Sequence, residues 1–285
     1  MMPRRAEPAN PTTLPPLPAP ASSKRERGDV LVIGGAAKTP GAVALTGIAA
    51  LRVGAGRLTV AVAESVAAPL AVAFPEAGVV GLPQNRSGSV TGGAASVLEG
   101  ALDVDCVVVG PGLDDADEAH ELLERLVPLM GDETRVLLDA FALGALADDA
   151  DVCRPLEGRL LLTPNSTETA ILLGRDPGDA ADDLVEVADR YGAVVCGSGL
   201  VAEPGGRVRR IEAGNPGLAT SGSGDVLAGA IAGLVARGAD AGDAACWATW
   251  LHATAGDRLA DRIGPVGFLA RELADELPRL LAEHT

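Results

Sequence analysis

The sequence predicts one α/β domain with a mainly parallel central sheet and helices on both faces. From Asp29 onward, short β-branched runs alternate with Ala- and Leu-rich stretches of helical period. Hydrophobic residues make up 47% of the chain but aromatics only 2%, so the core must be packed from Ala, Val and Leu, which suits helices lying closely on a buried sheet. The 285 residues suffice for one large domain, and no linker-like composition divides residues 29–285.

The first 28 residues are rich in Pro, Ala, Ser and charge without apolar periodicity, and they read as a disordered tail. Their prolines, Leu14-Pro15-Pro16-Leu17-Pro18, also rule out the apolar segment of a signal peptide. Strands are predicted at Val30–Ile33, Arg57–Ala63, Gly78–Leu82, Cys106–Val109, Val136–Leu138, Leu160–Thr163 and Ala193–Cys196. Helices fall between them at Ala42–Val53, Glu118–Met130 and Asp179–Tyr191. Val201 and Val208–Ile211, separated by Glu203-Pro204-Gly205-Gly206, suit an antiparallel hairpin at one edge of the sheet. Three helices then follow almost without a strand: Gly224–Arg237, Ala241–Arg262 and Val266–Leu281.

Acidic residues outnumber basic ones 39 to 23, for a formal charge of −16. Such a surface repels a phosphate backbone and argues against a nucleic-acid partner. A small nucleotide is a different matter, because backbone N–H groups and a helix dipole bind phosphate locally. Cys106, Cys153, Cys196 and Cys246 are widely spaced, which argues against a zinc cage or disulfide framework and fits a reducing cytoplasm. No apolar run approaches the ~20 residues of a membrane span.

The chemistry concentrates in Asn215-Pro216-Gly217-Leu218-Ala219-Thr220-Ser221-Gly222-Ser223-Gly224-Asp225, which runs straight into an apolar helix. Gly222 and Gly224 let the backbone approach a ligand without a Cβ, and the first helical N–H groups have no intrahelical partner. Together with the dipole they make an anion hole. Asp225 in the first turn suits dipole compensation. Beside a bound phosphate, however, it suffers like-charge repulsion, and it is better explained as the base that takes a proton from a substrate hydroxyl during phosphoryl transfer. Gly34-Gly35-Ala36-Ala37-Lys38-Thr39 resembles the end of a Walker A loop, but Ala37 stands where its second glycine belongs. The G-x-G-x-x-G dinucleotide fingerprint also fails, at Leu227.

The run Asn215–Gly233 resembles the signature of the ADP/ATP-dependent NAD(P)H-hydrate dehydratases, in the ribokinase-like superfamily. Further matches are Pro40-Gly41-Ala42, the stretch Ala49–Gly56, Val109-Gly110-Pro111-Gly112-Leu113, Leu251-His252 and Ala255-Gly256-Asp257, so the likeness covers nearly all of residues 29–282. It implies a three-layer ribokinase-like domain. It also implies a repair reaction: a phosphoryl group from ADP or ATP moves to the hydroxyl of hydrated NADH or NADPH (the S-epimer), and phosphate then leaves. Mg²⁺ would shield the phosphate charge. By position, Ala42, Gly112, Asn165 and Asp225 would touch the hydrate. Cys196, Gly197, Ser198, Gly199, Leu200, Gly222 and Gly224 would hold the nucleotide. Relatives of this type often form tetramers, so a cytoplasmic homo-oligomer is expected.

Three positions depart from the family pattern. Thr163-Pro164-Asn165-Ser166-Thr167-Glu168 stands where the family has T-P-H-P-G-E; Asn-x-x-Glu instead resembles the Mg²⁺–phosphate motif of vitamin and sugar kinases, where Glu168 would orient metal-bound water, and it also fits a helix cap. Cys196 replaces the lysine of K-G-x-G and supplies no positive charge, and Phe141 replaces a second aspartate after Asp139. Two alternatives therefore stand beside the dehydratase: a ribokinase-like small-molecule kinase, and a nucleotide-binding relative without turnover. His252 reads as a satisfied core histidine, and Trp247 and Trp250 as core or an oligomer contact.

Overall fold

The computed structural model describes residues 6–19 and 21–284. In chain order the elements are β1 (Glu7–Pro8), β2 (Asp29–Ile33), α1 (Pro40–Arg52), β3 (Arg57–Ala63), α2 (Glu64–Ala73), β4 (Gly78–Leu82), α3 (Ala95–Leu98), β5 (Cys106–Val109), α4 (Ala116–Leu126), β6 (Arg135–Leu138) and α5 (Phe141–Asp148). They continue with β7 (Leu160–Leu162), α6 (Ser166–Leu173), α7 (Ala180–Tyr191), β8 (Ala193–Gly197), β9 (Leu200–Glu203), β10 (Arg207–Arg210), α8 (Ser223–Ala236), α9 (Ala241–Arg262) and α10 (Ala270–His284).

One ten-stranded sheet runs β1-β10-β9-β8-β7-β6-β5-β2-β3-β4. All neighbours from β8 to β4 pair parallel, while the β9–β10 hairpin is antiparallel. Alternate side chains of each strand enter opposite cores, as the pleat requires. Val30, Val32, Val60, Val62, Val108, Leu137 and Leu161 pack with α1, α8, α9 and α10 on one face. Leu31, Ile33, Val107, Val109, Val136, Leu138 and Leu162 pack with α4 to α7 on the other. The three-layer α/β expectation therefore holds, and each predicted strand lies within a residue or two of an observed one. Helices α2, α3, α5 and α6 had no explicit prediction; Pro69 inside α2 masks its period, and α3 is a single turn.

The expected disordered tail is different in the structure. Its first five residues and residue 20 lie outside the described residues. The rest forms a strap: Glu7 and Pro8 pair with Arg209 and Arg210, so the hairpin is not the sheet edge, and Ala9 and Leu14 are buried. Trp247 Nε1 donates to the Pro15 carbonyl at 2.8 Å, and Arg237 donates to that of Pro18 at 2.9 Å. Prolines that defeat a helix pre-set the extended backbone such a strap needs, and their carbonyls stay free to accept.

Candidate active site

The strand order reverses between β2 and β5, and in such sheets ligands bind at the carboxyl ends of the strands beside that reversal. There the loop after β2 docks on the loop after β5. Gly35 N–H donates to Pro111 O and Ala36 N–H to Gly112 O, each at 2.8 Å, and Thr39 Oγ1 donates to Gly112 O at 2.7 Å. Gly112 has φ +72°, and a Cβ there would fall 2.4 Å from Thr39 O and 3.1 Å from Ala42 Cβ. Only glycine fits, and the fit sets Ala42, at the start of α1, beside Gly112. The stretch Gly34–Thr39 is thus part of the site without being a Walker loop.

The mouth of α8 opens onto the same end of the sheet. Gly222, the cap residue, has φ +86°, and no side chain caps the helix. Ser223 N–H donates to Thr220 O at 3.2 Å, and the amides of Gly224 and Asp225 have no side-chain partner, as suits an anion site. A Cβ on Gly224 would meet nothing within 4 Å, which makes room at that mouth. Beneath it, His252 Nε2 lies 2.9 Å from Ser223 Oγ and 3.0 Å from Ser223 O, which ties α9 to the first turn of α8. Burial pushes the His252 pKa down to about 4, so it is a neutral strut.

Three carboxylates converge here. Asp225 is partly buried, and burial raises its pKa to about 6. Asp139, at the end of β6, is buried and raised to about 7, first by desolvation and then by the charges of Asp225 and Glu168. A hydrogen bond from Thr163 Oγ1, at 2.9 Å, pulls it partly back. The repulsion falls on Asp139, the more deeply buried group. Among the described residues no lysine or arginine offsets either shift. A set of oxygen donors with one member buried and two partly buried fits a hard divalent cation.

A stability test follows from Asp139. Its folded-state pKa lies above its ordinary 3.8, so the folded protein holds a proton that the unfolded chain releases between about pH 4 and 7. Stability is therefore lost as pH rises through 7. Asp139→Asn, which still accepts from Thr163, is expected to be more stable than wild type at pH 8, by at most ~4 kcal/mol, with no gain at pH 4. Urea unfolding of metal-free protein at both values checks this. An equal gain at both would remove the titration as its cause.

Asn165 caps α6. Its side-chain oxygen accepts from Thr167 and Glu168 N–H, and Glu168 Oε2 accepts from Asn165 N–H at 2.9 Å, a complete capping box. One Glu168 oxygen is thereby used in the fold. Residues 197–200 turn tightly: Ser198 has φ +53° and Gly199 φ +72°, as a two-residue hairpin turn requires. A Cβ on Gly197 would lie 2.6 Å from Pro164 O, so this turn sits against the Asn165 loop. At two of the expected nucleotide contacts the side chain points into a core. Cys196 Sγ lies in the core, 3.0 Å from Thr249 Oγ1, with burial pushing its pKa up to about 11, and Leu200 is buried in the opposite core. Strand alternation sends both inward and leaves only their backbone to a ligand. Phe141, in the first turn of α5 next to Asp139, is 45% exposed. Trp247 is buried and hydrogen-bonded to the strap, with Trp250 edge-on to it.

The family model of NAD(P)H-hydrate dehydratase matches residues 30–279. The chain belongs to that family. Among curated hydrate dehydratases, the ADP-dependent (S)-NAD(P)H-hydrate dehydratase of Xanthomonas campestris is 44% identical over 93% of this chain and 92% of its own. The bifunctional NAD(P)H-hydrate repair enzyme of Moorella thermoacetica is 38% identical over 89% of this chain, which spans about half (49%) of that longer protein. Among solved structures, the ADP/ATP-dependent NAD(P)H-hydrate dehydratase of Bacillus subtilis, co-crystallized with ATP/Mg²⁺, superposes with a TM-score of 0.79 at 25% identity, over 96% of each chain. A ribokinase-like protein of Enterococcus faecalis reaches 0.80 at 24% identity, covering 96% of this chain and 93% of its own, and shares the fold.

Asp139 and Thr163 join the candidate site only in the fold. In the sequence, Asp139 stands out only as the aspartate two residues before Phe141. Its signal is a carboxylate ending an all-apolar parallel strand at the ligand end of the sheet. Thr163, which holds Asp139, has no sequence signal of its own, because the pair meets only when β6 and β7 align.

Proposed function

We infer that this chain is an ADP-dependent (S)-NAD(P)H-hydrate dehydratase, using ADP or ATP as phosphoryl donor. The observation that carries the reading is the uncapped mouth of α8 with Asp225 in its first turn, in a chain 44% identical to an enzyme so named. Asp225 ionises near 6 and is a competent base at neutral pH. It takes the proton of the hydrate's hydroxyl as that oxygen bonds to the terminal phosphorus of the nucleotide and the bridging P–O bond breaks. The C–O bond then breaks with phosphate as leaving group, assisted by the ring nitrogen's lone pair, and proton loss restores the dihydronicotinamide. Hydroxide leaves poorly and phosphate well, which is why a nucleotide is consumed.

The α8 amides and Gly224 hold the phosphate tail, with the backbone of residues 196–200 beside it. Ala42, Gly112 and Asn165 line the hydrate's side. Asp139, and Glu168 through water, are the groups to hold Mg²⁺, which supplies charge neutralisation on the phosphates when bound. Among the described residues no helix is long and apolar enough to cross a membrane. A cytoplasmic homo-oligomer, as a tetramer, completes the reading.

The test uses chemically hydrated NADH with ADP, with ATP and with neither. Recovery of the reduced-nicotinamide absorbance is expected only with nucleotide. A stable phosphorylated product from a panel of small alcohols would select a kinase instead; the Asn165–Glu168 spacing that favours this also serves as an ordinary helix cap. Nucleotide-dependent melting without any reaction would select a binding protein.

A further inference from the structure

Away from this site, α4 and α5 pack side by side and bring together His120, Glu124 and Asp149, one ligand atom of each lying within 4.8 Å of the others. His120 and Glu124 are four apart on α4, so both face the same way, and Asp149 follows the last turn of α5.

The His120 ring is oriented from outside the cluster. Its Nδ1 lies 3.3 Å from the carbonyl of Ala145, which can only accept, so Nδ1 donates there and Nε2 is the nitrogen that faces the carboxylates. Nε2 and Glu124 Oε1 are 3.6 Å apart, too long for a good hydrogen bond. That spacing suits another geometry. Two ligand atoms, each ~2.1 Å from a tetrahedral ion, lie roughly 3.4 Å from one another. Asp149 Oδ1 accepts from Asp151 N–H at 2.9 Å, which fixes the carboxylate while Oδ2 remains. The arrangement is an imidazole ring oriented by a backbone carbonyl, with two carboxylates from two elements. His120 is 28% exposed, so an ion has a path in and water can complete the coordination.

We propose that His120, Glu124 and Asp149 form a divalent-metal site suited to Zn²⁺, separate from the catalytic carboxylates. One imidazole with two carboxylates favours a borderline ion over Mg²⁺, which prefers oxygen alone. The bound ion cross-links α4 to the far end of α5, the helix that begins beside Asp139.

The experiment is calorimetric titration of tag-free, chelator-treated protein with Zn²⁺, alongside His120→Ala, Glu124→Gln and Asp139→Asn. The expected result is one Zn²⁺ per chain and a raised Tm in wild type and Asp139→Asn. Affinity should be weakened by more than about 100-fold in His120→Ala, beyond the 10–100-fold typical of losing an outer-shell partner. Glu124→Gln, a change at a half-exposed surface position, should weaken it too while melting like wild type without metal. Co²⁺ should show visible absorption bands that vanish in the same two variants. No stoichiometric uptake, or uptake lost in Asp139→Asn but kept in His120→Ala, would overturn the proposal.

Discussion

Asp225→Asn is expected to lower turnover of hydrated NADH by ~100-fold or more while nucleotide still binds, because the substitution removes a base and leaves the shape of the helix mouth unchanged. In the proposed reading the phosphate sits on backbone amides, which the variant keeps. Deleting a carboxylate beside an anion also removes repulsion, so nucleotide affinity should hold or tighten. Calorimetry with ADP and the recovery of reduced-nicotinamide absorbance read the two effects separately. In wild type, kcat/KM should fall about tenfold per pH unit below about 6, where burial sets the ionisation of Asp225 in the free enzyme. The base must be unprotonated, so activity is lost on the acid side. Asp139 is the neighbouring carboxylate, also raised by burial. Undiminished turnover in Asp225→Asn, or an acid limb that persists unchanged in that variant, would move the proton transfer away from Asp225.

The sheet was legible because its strands are short, β-branched and bounded by glycine, and these local signals suffice when both faces are buried. The mouth of α8 was legible for a similar reason: Gly222, Gly224 and Asp225 are neighbours in sequence. The convergence of Asp139 with Asp225 and Glu168 was not, because those residues come from three elements and meet only once the strand order is fixed. The strap was misread for a different reason. Its composition is that of a disordered segment, yet its order depends on distant donors, Trp247 and Arg237, that composition cannot see. Cys196 shows a further limit. Its place in the motif suggests a ligand contact, but the pleat decides which way the side chain points, and here it points at α9.

Two glycines in α8 should respond in opposite ways. Gly229 faces α1, where a Cβ would fall 2.0 Å from Thr46 O and 2.9 Å from Ala49 Cβ. One turn on, Gly233 meets Ala50 O at 2.5 Å in the same way. The helices therefore touch backbone to backbone, and Gly229→Val has no flexible neighbour to displace. Overpacking of this kind costs about 1–3 kcal/mol and occasionally more, well above the few tenths that valine recovers in helix propensity. An unyielding carbonyl puts the expectation at about 3 kcal/mol or beyond, a fall in Tm of roughly 6–12 °C for a chain of this size. The surviving folded protein should also lose activity, since α1 begins beside Ala42 and α8 carries Asp225, so separating the helices widens the site between them. Gly224→Ala is the counterpart. Its Cβ enters open space, so melting should stay level or rise slightly with the better helix former. In the proposed reading that same space admits the phosphate to the α8 amides, so ADP affinity should drop. A Gly224→Ala protein that melts normally and binds ADP as well as wild type would mean that the nucleotide does not approach through the start of α8.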